Sequence, residues 1–439
     1  MAKIVVVGAG YTGLVAALRL AQAGHSVTVL EKGSIVGGLA SGFQVEGAPL
    51  ERAYHHLFKT DVDIINLVQE LGISKKLLWH NSSVAIYYKN RIFPFVTPID
   101  LLHFKPLHFH NRLRAGLVVY YLQRTNNWHS LQHISAYNWM TTMAGKQVSK
   151  IIWQPLLEGK FNKYFNKVSM AWLWARIHTR ANSKEKGDSH EKLGYFNGGF
   201  QVFTKALTTE LKRYNVITRT DVAINSIAST DIDVTINFDG RKAETYDRCI
   251  VTTPSYVFSQ LIRDHKQLNK KYRKQLLSIN YLGARLLIFS SEQDLTPYYW
   301  HNINDLALPF LVFINHTKLI NKKFYNGKNI YYIGTYLPHD HYLFNCIESE
   351  LESLWFTALK EIFPNFDASQ IREKHFFRFA NAQHVVDTNY DKKILAHKTP
   401  LDNIFLSNFS QIYPEDRGTN YAVREGEYIA NLVNKDLEP

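Results

Sequence analysis

The strongest pattern of hydrophobic and polar positions lies at the amino terminus of the chain. Residues 5–7 are three consecutive valines, which is typical of a buried strand. After a short glycine-containing turn, residues 14–18 have the apolar spacing of a helix, and Gly24 marks its end. A second apolar run follows at residues 26–30. The pattern predicts a strand, a helix and a second strand in direct succession, as in an α/β fold.

The turn between the first strand and the helix has the spacing of a dinucleotide-binding loop. Gly8, Gly10 and Gly13 form a GxGxxG motif, which permits a tight turn, close approach of a phosphate and packing of the helix on the strand. Backbone N–H groups at the helix start can then bind a pyrophosphate. Glu31 follows Gly8 by 23 residues, near the offset of about 20 at which a carboxylate reaches a ribose hydroxyl.

A further pair of glycines, Gly37 and Gly38, follows this carboxylate and would let a second loop pass close to a longer cofactor. With this pair, the segment resembles the FAD-binding fold of the amine oxidase, protoporphyrinogen oxidase and phytoene desaturase superfamily, to which UDP-galactopyranose mutase is related. The resemblance implies a Rossmann-like FAD-binding domain of the GR2 type. The cofactor-binding residues that it implies in this segment are Gly8, Gly10, Tyr11, Thr12, Gly13, Glu31, Lys32, Gly37, Gly38, Leu39 and Ala40.

Two later segments return to the character of a dinucleotide-binding fold. The resemblance implies that the backbone at Val222 touches the adenine, although an ordinary α/β unit is an equal alternative. Near the carboxyl terminus, a strand at 403–408 leads through a turn into a helix that begins near Asn420. An acidic residue before a glycine at a helix start suits the ribityl hydroxyls and the N1–O2 edge of a flavin. The resemblance assigns to the flavin Asp416, Arg417, Gly418, Asn420, Tyr421 and Ala422.

Two points about this carboxy-terminal turn bear on the flavin. The sequence leaves open whether Glu415 or Asp416 faces the ribityl chain. The two cysteines, Cys249 and Cys346, both lie outside this segment, so a covalent flavin link of the kind known in some amine oxidases has no candidate here. We therefore expect FAD to bind noncovalently.

Aromatic, basic and helical character separates residues 86–182 from the dinucleotide-binding segments around them. Strand patterns with both faces apolar follow between residues 284 and 336. At 439 residues, the chain exceeds the size at which a single core stops growing. We expect an α/β fold in which the FAD-binding domain is interleaved with a mixed-sheet and helical substrate domain. The predicted limits are residues 1–80, 193–255 and 380–439 for the FAD-binding domain, and residues 81–192 and 256–379 for the substrate domain.

Three residues are candidates for catalysis. His55 and His56 follow the glycine pair at a distance that could bring them beside the isoalloxazine ring, where a histidine could accept a proton as a hydride leaves. In extended backbone the two imidazoles would point to opposite faces, so at most one would meet the flavin. A buried histidine bonded to backbone is the alternative. Lys160 is compared with the lysine that holds a water at flavin N5 in monoamine and polyamine oxidases, against the alternative of a solvent-facing lysine.

Other aromatic and charged segments allow two interpretations each. Residues 298–300 and Tyr336 could line a substrate cavity or belong to the core. Residues 101–128 mix Leu, Phe and Tyr with Lys, His and Arg, which fits an interfacial helix for a lipid substrate or a domain helix with a wet face. The net charge of +13 suits an anionic ligand or a phospholipid surface. Nucleic acid is not expected, because no run of five basic residues occurs.

Few cysteines, no apolar run of about 18 residues and no signal-peptide pattern predict a cytoplasmic protein, peripheral on the inner face of a membrane if 101–128 binds lipid. The resemblance implies an FAD-dependent oxidoreductase that accepts a hydride from a C–H bond next to nitrogen or carbon, with an anionic or lipid-like small molecule as substrate. The alternative is a non-redox flavin-dependent isomerase resembling UDP-galactopyranose mutase. The net positive charge of the chain suits a nucleotide sugar, whereas the sequence shows no clear pair of arginines that would bind its diphosphate.

Overall fold

The computed structural model describes residues 1–183 and 191–438, so that residues 184–190 of the predicted substrate domain lie outside the described residues. The strands are β1 (Lys3–Val7), β2 (Ser26–Leu30), β3 (Gly42–Val45), β4 (Ala48–Glu51), β5 (Leu77–Asn81), β6 (Val84–Tyr88), β7 (Arg91–Pro94), β8 (Lys192–Phe196), β9 (Ile217–Arg219), β10 (Ile224–Ser229), β11 (Val234–Phe238), β12 (Arg241–Tyr246), β13 (Arg248–Val251), β14 (Tyr281–Ser291), β15 (Trp300–Ile303), β16 (Val312–Asn315), β17 (Asn329–Leu337), β18 (Ile371–His384) and β19 (Ile404–Leu406).

The helices lie between these strands, except for α14, which follows the last strand. They are α1 (Tyr11–Gln22), α2 (Val62–Glu70), α3 (Pro98–His103), α4 (Phe109–Arg124), α5 (Ala136–Met143), α6 (Lys146–Val148), α7 (Gln154–Phe161), α8 (Met170–Asn182), α9 (Gln201–Arg213), α10 (Ser255–Leu261), α11 (Lys270–Leu276), α12 (Tyr342–Asn345), α13 (Glu348–Ile362) and α14 (Thr419–Leu437). None of the helices in residues 1–183 and 191–438 is both long and apolar enough to cross a membrane.

A five-stranded parallel sheet in the order β19-β13-β1-β2-β9 forms the first layer. Its strands come from three separate parts of the chain, which explains why the dinucleotide-fold pattern reappears twice along the sequence. The strands β1 and β2 are buried over four of their five residues, as expected for a parallel sheet that is covered on both faces. The fold is of the Rossmann-like α/β class, while the exact domain limits remain a prediction.

Two glycines allow α1 to pack closely on its neighbours. A Cβ at Gly13 would lie 2.0 Å from the carbonyl oxygen of Gly8, and a Cβ at Gly426 would lie 2.7 Å from that of Thr12. Both separations are too short for real atoms, so only glycine permits this approach. The first and last helices of the fold are thereby brought together although more than 400 residues separate their first residues.

A seven-stranded mixed sheet in the order β18-β14-β17-β16-β15-β6-β7 forms the second layer. All of its neighbouring pairs are antiparallel except β15 with β6. Strand β14, the second strand from one edge, is buried at every position, because one of its faces packs in a cluster with helix α13 and the other in the cluster that also contains β1 and α1. The helical expectation for residues 86–182 is correct for α3 to α8, but that segment begins with two strands of this sheet, β6 and β7.

Glu51, at the end of β4, attaches the turn after β8 to the core. Its carboxylate accepts hydrogen bonds from the Tyr195 hydroxyl at 2.6 Å and from the Phe200 backbone N–H at 2.5 Å. The Tyr332 hydroxyl donates to the Glu51 backbone carbonyl at 3.0 Å. Burial raises the pKa of Glu51 to about 7, in spite of these hydrogen bonds to the ionised form.

We expect Glu51→Gln to reduce the loss of stability between about pH 5 and about pH 8. A folded-state pKa of about 7 exceeds the usual value of about 4.3, so ionisation disfavours the folded protein as the pH rises through 7. This pKa difference corresponds to about 3 kcal/mol in the free energy of unfolding. The parent protein loses this stability as the pH rises, whereas a variant with a neutral amide at position 51 keeps it. Guanidinium unfolding at the two pH values measures this difference, with the exposed Glu361→Gln as the control. Equal pH dependence in the two variants would refute it.

Candidate active site

The turn between β1 and α1 presents free backbone donors. Gly8 has a left-handed φ of +109°, which turns the chain sharply into the helix. No described side chain caps the first turn of α1, so its N–H groups remain available. No atom lies within 4 Å of the position that a Cβ at Gly10 would take, which leaves open space beside the helix start. The cradle therefore fits a pyrophosphate, as the sequence predicts.

Glu31 is fixed at the edge of this cradle by two backbone N–H groups. Its Oε2 accepts from Ala9 at 2.8 Å and its Oε1 from Gly33 at 2.7 Å. A carboxylate offers about four lone-pair sites, so acceptor capacity remains for ribose hydroxyls. The Val222 N–H donates to the Glu31 carbonyl at 2.9 Å, which brings the expected adenine segment next to the expected ribose acceptor. Lys32 beside them is exposed.

The glycine pair lies directly on the phosphate turn. The Gly37 N–H donates to the Ala9 carbonyl at 2.8 Å, and a Cβ at Gly38 would lie 3.1 Å from the Cα of Gly10. This contact explains the need for glycine that the sequence indicated. Leu39 follows in a 3-10 turn and lines the cavity described below, whereas Ala40 is buried. Tyr11 packs its ring on Phe203 and bonds its hydroxyl to Thr204 at 3.0 Å, so only its backbone faces the turn.

A cavity of about 210 Å³ lies between the two layers. Its wall combines the loop before α2, helices α7 and α8, the central strands of the mixed sheet and the start of α14. Most of its polar lining comes from Tyr54, His55, His56, Asp61, Lys160, Arg176, Thr179, Arg180, Asn302, Thr335, Tyr336, Asp416, Arg417, Thr419, Asn420 and Tyr421. The three predicted catalytic residues, His55, His56 and Lys160, therefore line the same cavity as the carboxy-terminal turn.

A buried ion cluster is centred on Asp416. Its Oδ2 lies 2.8 Å from Lys160 Nζ and 3.0 Å from Arg176 Nη1. Burial by itself would raise the pKa of Asp416, but Lys160, Arg176 and Arg417 hold it well below its usual range. Glu415 instead pairs with Arg424 at 3.2 Å, so Asp416 is the acidic residue that faces the cavity. We therefore predict that Asp416, rather than Glu415, faces the ribityl chain.

Lys160 is not the solvent-facing lysine that was its alternative interpretation. It is 7% exposed, and its ammonium lies 5.3 Å from the ring centre of Tyr336 and 5.7 Å from that of Trp172. Helix α7 turns this residue inward, where Asp416 compensates its charge. The hydrophobic pattern of the sequence could not predict the burial of Lys160, because a lysine is normally exposed unless a residue distant in sequence supplies a partner.

Arg176 and Arg180 are functional candidates that the sequence reasoning missed. They lie four residues apart on α8, so both reach the same side of that helix, and both line the cavity. The sequence shows no clear pair of arginines for a diphosphate, whereas the structure brings these two arginines to one cavity. The only available signal was the i,i+4 spacing in a segment that was treated simply as aromatic and basic.

His55 and His56 both line the cavity, contrary to the expectation that they point to opposite faces. The reason is that residues 54–56 are not in a strand, so the two-residue alternation does not apply. His55 Nδ1 donates to the Ala53 carbonyl at 2.7 Å, and His56 Nδ1 lies 3.3 Å from the Tyr299 hydroxyl. Burial lowers the pKa of His55 to about 4 and that of His56 to about 3, so both are neutral at pH 7.

The aromatic candidates divide between the cavity and the core. Trp300 and Tyr336 line the cavity, whereas Tyr299 is 1% exposed and belongs to the core. The Tyr336 hydroxyl accepts a hydrogen bond from Arg417 Nη2 at 2.9 Å. The edge of the Tyr54 ring meets Trp300, with 5.0 Å between ring centres.

The start of α14 ties the cavity to α2. Asn420 accepts from the Ile64 N–H at 3.0 Å through Oδ1, and its amide donates to Asp63 at 3.0 Å. The Ala422 N–H donates to the Gly418 carbonyl at 3.0 Å and so begins the helix. Next to this turn, Asp416 Oδ1 and Arg417 Nε are buried without a partner among the described residues. Such unfilled donor and acceptor capacity at a helix start fits the polar part of a flavin.

Comparison with known proteins gives a family and a fold. The family model described as flavin containing amine oxidoreductase matches residues 11–407. Among curated proteins, coproporphyrinogen III oxidase from Staphylococcus aureus is 22% identical over 294 residues, which are 58% of this chain and 61% of that protein. The match thus spans less than two thirds of that relative's length.

Solved structures share the fold over nearly the whole chain. A protein assigned as a protoporphyrinogen oxidase, from Exiguobacterium sp. 255-15, superposes with a TM-score of 0.77 at 16% identity, covering 99% of this chain and 98% of its own. Reduced UDP-galactopyranose mutase gives a TM-score of 0.75 at 16% identity, with 100% and 95% covered. At these identities the likeness concerns the fold alone.

Replacement of the ribose acceptor, Glu31→Ala, should weaken FAD binding by about 1.5–3 kcal/mol, or about 10- to 150-fold in Kd. The substitution removes a charge-assisted hydrogen bond and also releases the Ala9 and Gly33 N–H groups that the carboxylate fixes. Flavin fluorescence on titration of the apoprotein measures the Kd. Glu70→Ala, which breaks a salt bridge of α2 outside the cradle, serves as the control. An unchanged Kd would remove Glu31 from the site.

Proposed function

This chain belongs to the family of flavin-containing amine oxidoreductases, with FAD as its cofactor, and we propose that it takes a hydride from a C–H bond next to nitrogen or carbon. When bound, FAD supplies the hydride acceptor. The observation that carries the proposal is the convergence of Leu39, from the glycine loop, and of residues 418–421, from α14, on the cavity that His55, His56 and Lys160 also line. A donor C–H bond held there would be oriented for transfer.

The catalytic roles follow from the charge state of these side chains. His55 and His56 are neutral, so they cannot donate a proton from an imidazolium at pH 7. We assign them to the border of the isoalloxazine ring, where a neutral imidazole can orient the reacting groups by hydrogen bonding. Lys160, next to Asp416, contributes a buried positive charge to the same wall.

The substrate is a small molecule that carries an anionic group. Lys160, Arg176, Arg180 and Arg417 line the cavity, against one carboxylate of low pKa, Asp416. The excess of positive charge in a largely enclosed space attracts a carboxylate or phosphate and repels an ammonium group. The apolar part of the wall, which includes Leu156, Leu286, Leu311 and Phe379, accommodates the carbon skeleton.

One observation favours the non-redox alternative. The pair Arg176 and Arg180 offers the two neighbouring guanidinium groups that a diphosphate would need, and their absence from the sequence pattern was the argument against a nucleotide sugar. A mutase-like isomerase that uses reduced flavin therefore remains the second candidate.

Anaerobic reduction of the holoprotein tests the main proposal. Amines, porphyrinogens, polyprenoids and nucleotide sugars are screened for bleaching of the flavin, and we expect an anionic compound to reduce it. With that compound, His55→Ala or His56→Ala should keep FAD but slow the limiting rate by about 10² or more. Stopped-flow absorbance, after the FAD content has been checked, measures the rate.

The control for this experiment is Asn326→Ala, outside the cavity lining, which should reduce at the parent rate. If both histidine variants reduce the flavin at the parent rate, His55 and His56 do not take part in the reaction. Catalysis would then rest on positioning of the substrate by the other cavity residues. If a nucleotide sugar turns over only when the flavin is prereduced, and without net oxidation, the protein is an isomerase and the oxidoreductase proposal is wrong.

We further propose that the protein is cytoplasmic and lies on the inner face of a membrane through α3 and α4. Helix α4 packs inward through Ala115, Val118 and Leu122. Its outer side and the adjoining α3 present large apolar side chains to solvent, namely Ile99, Leu102, Phe109, Leu113, Leu117, Tyr120 and Tyr121. Three basic residues, Lys105, Arg112 and Arg124, belong to the same segment, and the Arg124 guanidinium lies over the Tyr120 ring. An exposed apolar stripe in a segment with basic residues favours the interfacial alternative over a wet helix.

Leu117→Glu should weaken binding to vesicles of phosphatidylglycerol and phosphatidylcholine by about tenfold or more, because Leu117 is 70% exposed at the centre of this face. Co-sedimentation at low and high salt measures the binding. Ile232→Glu, at an equally exposed position in the turn between β10 and β11, is the matched control. Failure of the parent protein to sediment with the vesicles would refute the membrane assignment.

A further inference from the structure

Tyr336 lies at the centre of the charged wall of the cavity, near the end of β17. Its hydroxyl accepts from Arg417 Nη2 at 2.9 Å, and the Arg417 guanidinium carbon lies 5.8 Å from its ring centre. Lys160 Nζ lies over the Tyr336 ring, 5.3 Å from its centre. The Tyr54 hydroxyl donates a hydrogen bond to the Tyr336 hydroxyl. A phenol oxygen that accepts from a guanidinium and from a second hydroxyl, with an ammonium over its ring, is arranged to carry negative charge.

We propose that Tyr336 is the proton acceptor of the reaction, which takes the proton from the substrate's N–H or C–H group as the neighbouring C–H bond gives up its hydride. This proposal rests on the oxidoreductase function stated above. The substrate would lose two electrons and two hydrogens, and its C–N or C–C bond would become a double bond. FAD, when bound, would supply the acceptor for the hydride, and the proton would convert the Tyr336 phenolate into a phenol.

The electrostatics of the cluster support the phenolate. Burial by itself would raise the pKa of Tyr336, but Arg417, Lys160 and the hydrogen bond from Tyr54 together lower it below the usual value, against a smaller opposing effect of Asp416. Arg176 adds a further positive charge beside this cluster. Burial raises the pKa of Tyr54, so Tyr54 keeps its proton and Tyr336 is the member of the pair that ionises.

The other titratable groups of the cavity are less suited to accept this proton. The pKa values of about 4 for His55 and about 3 for His56 make them weak bases. Asp416 is held as a carboxylate by its ion pairs, far below the pKa of a useful base. Asp61 and Lys160 are the competitors, because burial raises the pKa of Asp61 to about 7 and lowers that of Lys160. Asp61 Oδ2, however, already accepts from the Phe58 N–H at 2.8 Å, and Lys160 is paired with Asp416 at 2.8 Å. Asp61→Asn is therefore the informative comparison variant.

The first measurement requires no substrate. The holoprotein is labelled with ¹³Cζ-tyrosine, and its carbon resonances are followed against pH. Tyr336→Phe identifies the Tyr336 resonance, and Tyr428→Phe identifies an exposed reference tyrosine. We expect Tyr336 to ionise at a lower pH than Tyr428, and Lys160→Met to raise the pH at which it ionises. If Tyr336 ionises together with or above Tyr428, the proposal is wrong whatever reduces the flavin.

The second measurement uses the reducing substrate from the anaerobic screen. The limiting rate of flavin reduction should rise with pH as Tyr336 ionises, and Tyr336→Phe should lower it by about 10²- to 10⁴-fold and remove this dependence. Asp61→Asn should keep the rising limb. The proposal is wrong if Tyr336→Phe keeps the pH dependence of the parent rate, or if the rate in Asp61→Asn no longer rises with pH. If Tyr336 ionises early but no C–H donor reduces the flavin, the oxidoreductase function itself fails.

Discussion

The cavity depends on the buried carboxylate of Asp416. Lys160 and Arg176 would repel each other and lose hydration if they were buried without a counterion, at a cost of several kcal/mol for each charge. Asp416 binds both, at 2.8 and 3.0 Å, and so brings α7, α8 and the turn before α14 to one point. Removal of one member would leave an uncompensated charge inside the protein, which is far more destabilising than loss of the pair as a whole.

One carboxylate nevertheless compensates only part of the positive charge that lines the cavity. Arg180 and Arg417 remain, together with a tyrosine whose pKa is below its usual value. This member of the flavin-containing amine oxidoreductase family thus has a cavity lined by more basic than acidic side chains. The basic side chains lie on α7, on α8 and in the turn before α14, away from the turn between β1 and α1, and a fold does not determine the chemistry of its site.

Much of the cofactor site could be predicted from the sequence, because its determinants are local. Gly8, Gly10 and Gly13 act within one turn of backbone, and Glu31 reaches that turn from the end of the adjacent parallel strand. The periodicities that place β1, α1 and β2 are set by neighbouring residues as well. Short-range constraints of this kind leave the same pattern in any chain that meets them.

The sequence by itself thus determined the α/β class, and it predicts the cofactor cradle and the carboxy-terminal flavin turn. Only the tertiary structure decided that Lys160 is buried, that both His55 and His56 meet the cavity and that Arg176, Arg180 and Tyr336 line the same cavity as Asp416. These facts depend on contacts between segments up to 362 residues apart, such as His55 and Arg417. Burial, and with it the charge and pKa of a side chain, is set by whatever packs around it, and linear spacing carries no record of those distant neighbours.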